Sequence, residues 1–472
     1  MDKLIEISGL ISDKFYTYIL ILLLIIGGLY FFIRTKVAPF RLLGAQFKAV
    51  TEKPKDGKGV SSFQALMVST ASRVGTGNII GVASAICLGG FGSVFWMWII
   101  AIIGSASALI ESTLAQIYKK KGINGCFGGP AYYIEKAFKC RAIAVIFSVL
   151  LILTYGVGFN MLASYNLQST FATYNFYNPK VTPWIIGAIV AILVGYCLLG
   201  GGKRIIKATS FLVPIMGVAY ILIAIVMMCI NIKALPVIFK EIFVSAFDFK
   251  AIFGGIASSC LMYGIKRGLF SNEAGVGSAP NASAAAEVSH PVKQGLVQVL
   301  SVFIDTILVC SATAFMCMSS GVEITEAMKS DPAIYVQMAL KSTFGGFGPI
   351  FITIAMALFA FTTLLGNLFY VDKAFDHLLK REPSKKFKIV YYLFFSLLIL
   401  FGAVLKADLL WNVADILMGL MALINIPAII ILGKYAFRAI KDFDKQRKMK
   451  KDPVFFASNI NLPHQVDYWQ EV

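Results

Sequence analysis

Apolar runs of about 20 residues recur along almost the whole chain, and their length limits its fold more than any other feature. A run of that length crosses a bilayer as a helix, whereas barrel strands would alternate in character over about 10 residues. Eleven spans are read, at 15–35, 61–89, 91–118, 142–169, 182–200, 205–230, 249–270, 294–319, 346–370, 389–405 and 411–433. Only 14% of the residues are charged, about half of what a soluble domain carries. The class that follows is an all-α polytopic membrane protein, with no polar stretch long enough for a soluble catalytic domain.

A net charge of +18 would suggest nucleic acid in a soluble chain. Here its distribution points elsewhere. Lys119 to Lys121, Lys203-Arg204, Lys385-Lys386 and the Lys445 to Lys451 cluster all fall on the same side of the eleven spans. By the positive-inside rule that side is the cytoplasm, with the N-terminus outside and the C-terminus inside. Attraction to anionic lipid is a by-product, and neither nucleic acid nor an obligatory protein partner is implied. The first span lacks a small-residue cleavage site and is followed by Arg34, Lys36 and Arg41, so it is expected to stay as an anchor. The eight cysteines lie in spans or on the cytoplasmic side, where disulfides are not expected. Trp96, Trp98, Trp184 and Trp411 sit near outer span ends and read as an interfacial belt.

One span reads badly as an unbroken helix. Gly75, Gly77 and Gly81 weaken residues 71–90 where a helix should be firmest, at roughly 1 kcal/mol each. Arg73 and Asn78 stand beside them at bilayer depth. Irregular backbone is tolerated there only when buried in protein or lining a cavity. Setting the first span aside leaves ten, which divide into five and five. The leading span of the second half, Phe249 to Phe270, carries its own interruptions at Gly254-Gly255, Ser258-Ser259, Gly264 and Gly268. An odd number of spans per half inverts the second relative to the first. Paired broken helices heading two inverted halves point to a transporter with its site at the midplane. The competing reading is that these glycines merely let helices pack closely. The expected divisions are 1–60 (first helix and basic loop), 61–231 and 232–435 (the two repeats), and 436–472 (a basic cytoplasmic tail).

A broken helix offers free N–H groups to an anion and free carbonyls to a cation. An amino acid travelling with sodium would satisfy both. The Gly75-Thr76-Gly77 backbone is placed to receive a carboxylate, and the carbonyls of Ala71 and Val74 to serve a hard cation. In span 346–370, Thr362 and Thr363 can offer hydroxyl oxygens, or can simply bond back to their own turn. Arg73, Glu111 and Asp305 are the intramembrane charges, with Asp415 nearer the outer end. Arg73 is expected to pair with Glu111 or Asp305, or to hold an anionic substrate group. Glu111, two turns from Lys119, can reach the inner interface. His290, His377 and His464 fall in loops or tails. Gly128 to Phe138 reads as a turn into a short amphipathic cytoplasmic helix. Lys266 to Pro280, rich in glycine and polar groups, reads as a mobile gate at the inner face.

Several motifs together resemble the alanine or glycine:cation symporter family: Arg73-Val-Gly-Thr-Gly-Asn-Ile79, Phe95-Trp-Met-Trp98, Gly128-Gly-Pro130, Lys266-Arg-Gly-Leu-Phe-Ser-Asn-Glu-Ala-Gly275, Gly277-Ser-Ala-Pro280 and Asp305-Thr306. The likeness runs from about residue 60 to 435. It implies a LeuT-type 5+5 inverted repeat with two broken helices behind one N-terminal helix. It also implies uptake of a small neutral amino acid coupled to sodium, or in some members to protons. On the residues that match, it implies a sodium site at the carbonyls of Ala71, Val74 and Phe359 with the hydroxyls of Thr362 and Thr363. The implied substrate contacts are Arg73, Gly75, Thr76, Gly77, Asn78, Asn160, Ser258, Ser259, Met262 and Thr363. The chain departs from a family Asn-x-x-Gln-x-Asn pattern after Asn160, with Ala163 and Tyr165 at the other two positions, and has Asn367 where an aromatic is common. A larger neutral amino acid such as glutamine therefore stands beside alanine and glycine. Of other classes, an enzyme would need a catalytic constellation at one depth, and a channel a charged ring or carbonyl filter. The sequence offers neither.

Overall fold

The computed structural model describes residues 2–54, 59–122, 125–248, 259–462 and 466–470, and it is almost wholly helical. The main helices are α1 (Asp2–Arg34), α2 (Ser62–Arg73), α3 (Ile80–Gly89), α4 (Gly92–Ile117), α5 (Arg141–Ser169), α6 (Thr182–Leu198) and α7 (Gly201–Ile230). They continue as α8 (Cys260–Asn272), α9 (Pro280–Ala285), α10 (Pro291–Ser319), α11 (Phe347–Leu379), α12 (Lys385–Gly402) and α13 (Ala407–Lys448). Among the described residues, α1, α4, α5, α7, α10, α11 and α13 are each long and apolar enough to cross a membrane, and α2 with α3 forms one more span bent by 58°. The molecule is a multi-pass membrane protein. The lipid-facing surface is apolar, as Phe211, Ile215, Val218 and Leu222 on α7 show.

Local signals in the sequence set the helix ends. Ser61 accepts from the Gln64 amide while the Gln64 side chain accepts from the Ser61 amide, a reciprocal cap that starts α2. Ser259 caps α8 by accepting from the Met262 amide, and His290 followed by Pro291 opens α10. α4 runs through the middle of the bundle, with nearly every residue from Ile100 onward buried. Small residues let its neighbours come close. A Cβ on Gly264 would stand 2.5 Å from the Ser93 carbonyl oxygen, and one on Gly268 2.5 Å from Ile100.

That geometry corrects the reading of the second interrupted span. Gly264 and Gly268 lie inside a continuous helix and serve packing, while Gly254, Gly255 and Ser258 lie outside the described residues. Among the described residues the chain leaves the helix later, at Glu273 to Ala279, where it turns before α9. Glu273 adopts left-handed backbone at φ 51°, and Gly275 and Gly277 follow at φ 85° and 90°. The segment expected as a mobile gate is thus the end of α8 plus a buried turn, with every residue from Ser271 to Ala285 buried.

The two ends of the bundle differ in charge. At one end, Arg34 stacks over Phe437 of α13, Lys293 pairs with Glu52 and Asp452, and Lys119 meets the tail. At the other, Lys266 and Arg267 both pair with Asp415, and Lys266 also with Asp13. Lys266 and Arg267 therefore leave the basic end where the sequence put them. Trp411 also departs from the expected belt: it is buried, under the Arg267 guanidinium at 4.0 Å.

The tail folds back over the basic end. Phe455 donates its amide to the Ser289 carbonyl, and Ala457 donates to the Trp469 carbonyl. The Trp469 indole N–H donates to the Gln116 carbonyl at 2.7 Å. The Lys119 ammonium lies 3.8 Å from the centre of the Tyr468 ring and 4.9 Å from that of Trp469. Beside it, β1 (Lys120–Gly122) and β2 (Gly125–Phe127) form a short hairpin, and the helix Pro130–Phe138 follows as expected.

Candidate functional site

The break between α2 and α3 is built by its own side chains. In an unbroken helix the Gly75 amide would go to the Ala71 carbonyl and the Asn78 amide to the Val74 carbonyl. Instead Gly75 N–H donates to Asn78 Oδ1 at 2.8 Å, and Asn78 N–H donates to the Gly75 carbonyl at 3.1 Å. The carbonyls of Ala71 and Val74 are released by this exchange. The amides of Thr76 and Gly77 have no acceptor among the described residues. Such groups are costly to leave unpaired at this depth, so a break of this kind is shaped to hold something.

Asn78 ties the break to α8 and α10. Its Nδ2 donates to Asp305 Oδ1 at 2.6 Å and to Ser271 Oγ at 3.3 Å. Asp305 also accepts from the hydroxyls of Ser271 and Thr306, and Thr313 donates to the Asn78 carbonyl. Hydroxyl and amide donors thus hold this carboxylate, with no basic partner within ion-pair distance among the described residues. Arg73 does not take that role. Its Nη1 donates to Gln298 Oε1 at 3.2 Å, while Nε and Nη2 are buried without partners among the described residues. Glu111, one of the expected intramembrane charges, is fully buried rather than reaching the inner interface, and accepts from Asn425 Nδ2 at 2.9 Å. The same amide donates to the Gly275 carbonyl, and Tyr133 donates to Asn425 Oδ1, so one asparagine ties α4, α13 and the second break together.

α11 comes against the first break at two glycines. A Cβ on Gly75 would stand 2.2 Å from Thr363 Oγ1, and one on Gly366 2.7 Å from the Ser72 amide nitrogen. The Thr363 hydroxyl is buried with no partner among the described residues. The Thr362 hydroxyl instead donates to the Leu358 and Phe359 carbonyls, which leaves its oxygen lone pairs available. One turn on, Asn367 accepts from Ser72 at 2.6 Å and donates to Asn160 at 2.9 Å. Asn160 Nδ2 has no partner among the described residues. On the same helix Asn166, which the motif comparison passed over, donates to Thr76 Oγ1 at 3.1 Å and leaves its own oxygen unpartnered. Its signal was a second asparagine six residues after Asn160 in a membrane-spanning segment.

Aromatic rings close the break on one side. A Cβ on Gly77 would stand 2.5 Å from the Phe270 ring. That ring packs between Phe159 at 4.6 Å and Trp411 at 4.8 Å. The remaining expected contacts lie elsewhere. Ser259 and Met262 are near the start of α8, about 20 and 15 Å along the helix from its end at Asn272. Ser258 lies outside the described residues.

Two opened helices buried in one bundle, with released carbonyls and an unpaired hydroxyl at the opening, define a membrane carrier. The chain belongs to the sodium:alanine symporter family, whose model matches residues 1–457. It is 41% identical to the probable sodium/glutamine symporter GlnT of Bacillus subtilis over 99% of this chain and 97% of that one. It is 36% identical to the sodium/alanine symporter AgcS of Methanococcus maripaludis, over 95% and 99%. The fold is shared with a solved structure of MhsT in complex with L-phenylalanine, at a TM-score of 0.56 and 14% identity over 83% of this chain and 93% of that one.

Proposed function

We propose that the chain imports a neutral amino acid of the alanine and glycine class, with glutamine in range, coupled to sodium by alternating access. The observation that carries this is the exchange of hydrogen bonds at Gly75 and Asn78. It frees the Ala71 and Val74 carbonyls beside the unpartnered Thr363 hydroxyl. With the Phe359 carbonyl and the Thr362 oxygen these give five neutral oxygen donors for a co-transported sodium ion. The amides of Thr76 and Gly77 receive the substrate carboxylate. The unpartnered Asn160 amide and Asn166 oxygen supply a donor and an acceptor of the kind a side-chain carboxamide needs.

In this reading sodium holds α2 and α3 in their bent shape, and substrate then favours closure of the Phe270 side. Each ligand prefers the state the other prefers, which is all that coupling requires. The full architecture is eleven spans, one N-terminal helix followed by repeats at 61–231 and 232–435, with the basic end and the tail in the cytoplasm of a cell membrane. Uptake into liposomes with an imposed sodium gradient, competed with each of the twenty amino acids, tests the reading. Uptake unaffected when choline replaces sodium removes sodium from it.

That outcome would favour proton coupling, which a second observation supports. Glu111, Glu273 and Asp305 are buried with no cationic nitrogen within ion-pair distance among the described residues. Arg73, Tyr133, Tyr155, Tyr370 and Cys310 are among the other ionisable groups that face them.

A further inference from the structure

The basic end holds a groove that the transport reading does not use. α1 stops at Arg34, and Lys36 and Val37 adopt left-handed backbone at φ 55° each. This turns the chain back beside the last turns of α13. The space between is about 640 Å³. Arg34, Lys36 and Arg41 line it from one side and Lys441, Lys445 and Lys448 from the other, with Phe437 and Ile440 below. The three α13 lysines recur at i, i+4 and i+7, so they share one face. The acid in the groove, Asp444, is held by Arg41 at 2.9 Å. Lys36, Lys441, Lys445 and Lys448 have no acidic partner among the described residues.

Depth identifies the ligand. Arg34 ends a membrane-crossing helix and lies 5.2 Å over Phe437, which puts Phe437 level with the edge of the hydrocarbon. Lys441 and Lys445 are then about 6 and 12 Å farther out along α13, in the layer of lipid phosphates. Four unpaired ammonium groups above an apolar floor match a phosphate diester with acyl chains below it. We propose that this groove is a binding site for the phosphate of an anionic phospholipid in the leaflet at this end, joining α1 to α13. The assignment stands independently of what the protein carries.

The test uses the full chain purified in detergent, with bound lipid counted by native mass spectrometry after adding phosphatidylglycerol or phosphatidylcholine. The expected result is retention of phosphatidylglycerol over phosphatidylcholine, reduced at least fivefold in Lys441→Gln/Lys445→Gln. It should be unchanged in Lys385→Gln/Lys386→Gln, which removes the same charge elsewhere. All these lysines are exposed, and if the double variant does not fold, Lys445→Gln alone carries the comparison. Equal loss in both double variants, or equal retention of the two lipids, overturns the site. Displacement of phosphatidylglycerol by millimolar inorganic phosphate assigns the groove to a free anion and overturns the lipid.

Discussion

At the scale of single residues, two side chains decide whether the first break can work. Thr363 offers a buried hydroxyl beside Gly75 with nothing bonded to it, whereas Thr362 already bonds within its own turn. Thr363→Val is expected to raise the half-saturating sodium concentration of uptake at least tenfold, about 1.4 kcal/mol. Thr362→Val should raise it less. Measuring uptake against sodium at fixed substrate checks both. Gly77 sits under the Phe270 ring with no room for a side chain. Gly77→Leu should abolish substrate binding by blocking approach to the backbone, and unchanged uptake kinetics in that variant would refute the placement of the pocket. Arg73 shows where residue-level reading failed. A lone arginine among acids suggested an ion pair, but the bundle gives it a neutral glutamine 225 positions away, and nothing local encodes that partner.

At the scale of elements, the first break was legible and the second was not, for one physical reason. Gly75 and Gly77 stand beside Asn78, a side chain that can replace the helix's own hydrogen bonds, so composition and geometry agree. Gly264 and Gly268 look the same in sequence but face α4, where they permit close packing. The break that the described residues show, at Glu273 to Ala279, follows closely on Lys266 and Arg267, and the charges made it resemble a surface loop. Their partners, Asp13 and Asp415, come from α1 and α13, far away in the chain. The docked tail was equally hidden, since its contacts are with the ends of α4 and α10. Trp469 is its buried anchor, so Trp469→Ala should speed tryptic cleavage after Lys450 and Lys451 at least tenfold, read by mass spectrometry of the intact chain. Lys119 beneath it carries a pH signature. Burial pushes its amine down to about 8 from 10.5. Between those values the unfolded chain holds more protons than the folded one, so stability gains as pH rises through that window. Lys119→Met lacks this gain, so the melting temperature of the wild type relative to that of the variant should rise from pH 8 to pH 10.

At the scale of the whole molecule, charge asymmetry predicts orientation. Cysteine introduced at Lys448, in a background with Cys126, Cys140 and Cys229 changed to serine, should react with a membrane-impermeant maleimide only after the membrane is opened. Cysteine at Lys3 should react in intact cells. The reverse pattern would invert the assignment of import. The docked tail also matters to anyone handling the protein. Its last described residues are wedged against the end of α4, where the Trp469 indole holds the Gln116 carbonyl, so a fluorescent or affinity fusion joined there would pull on the anchor. Tags for purification and imaging belong ahead of Asp2, on the far face, where they leave that seat undisturbed.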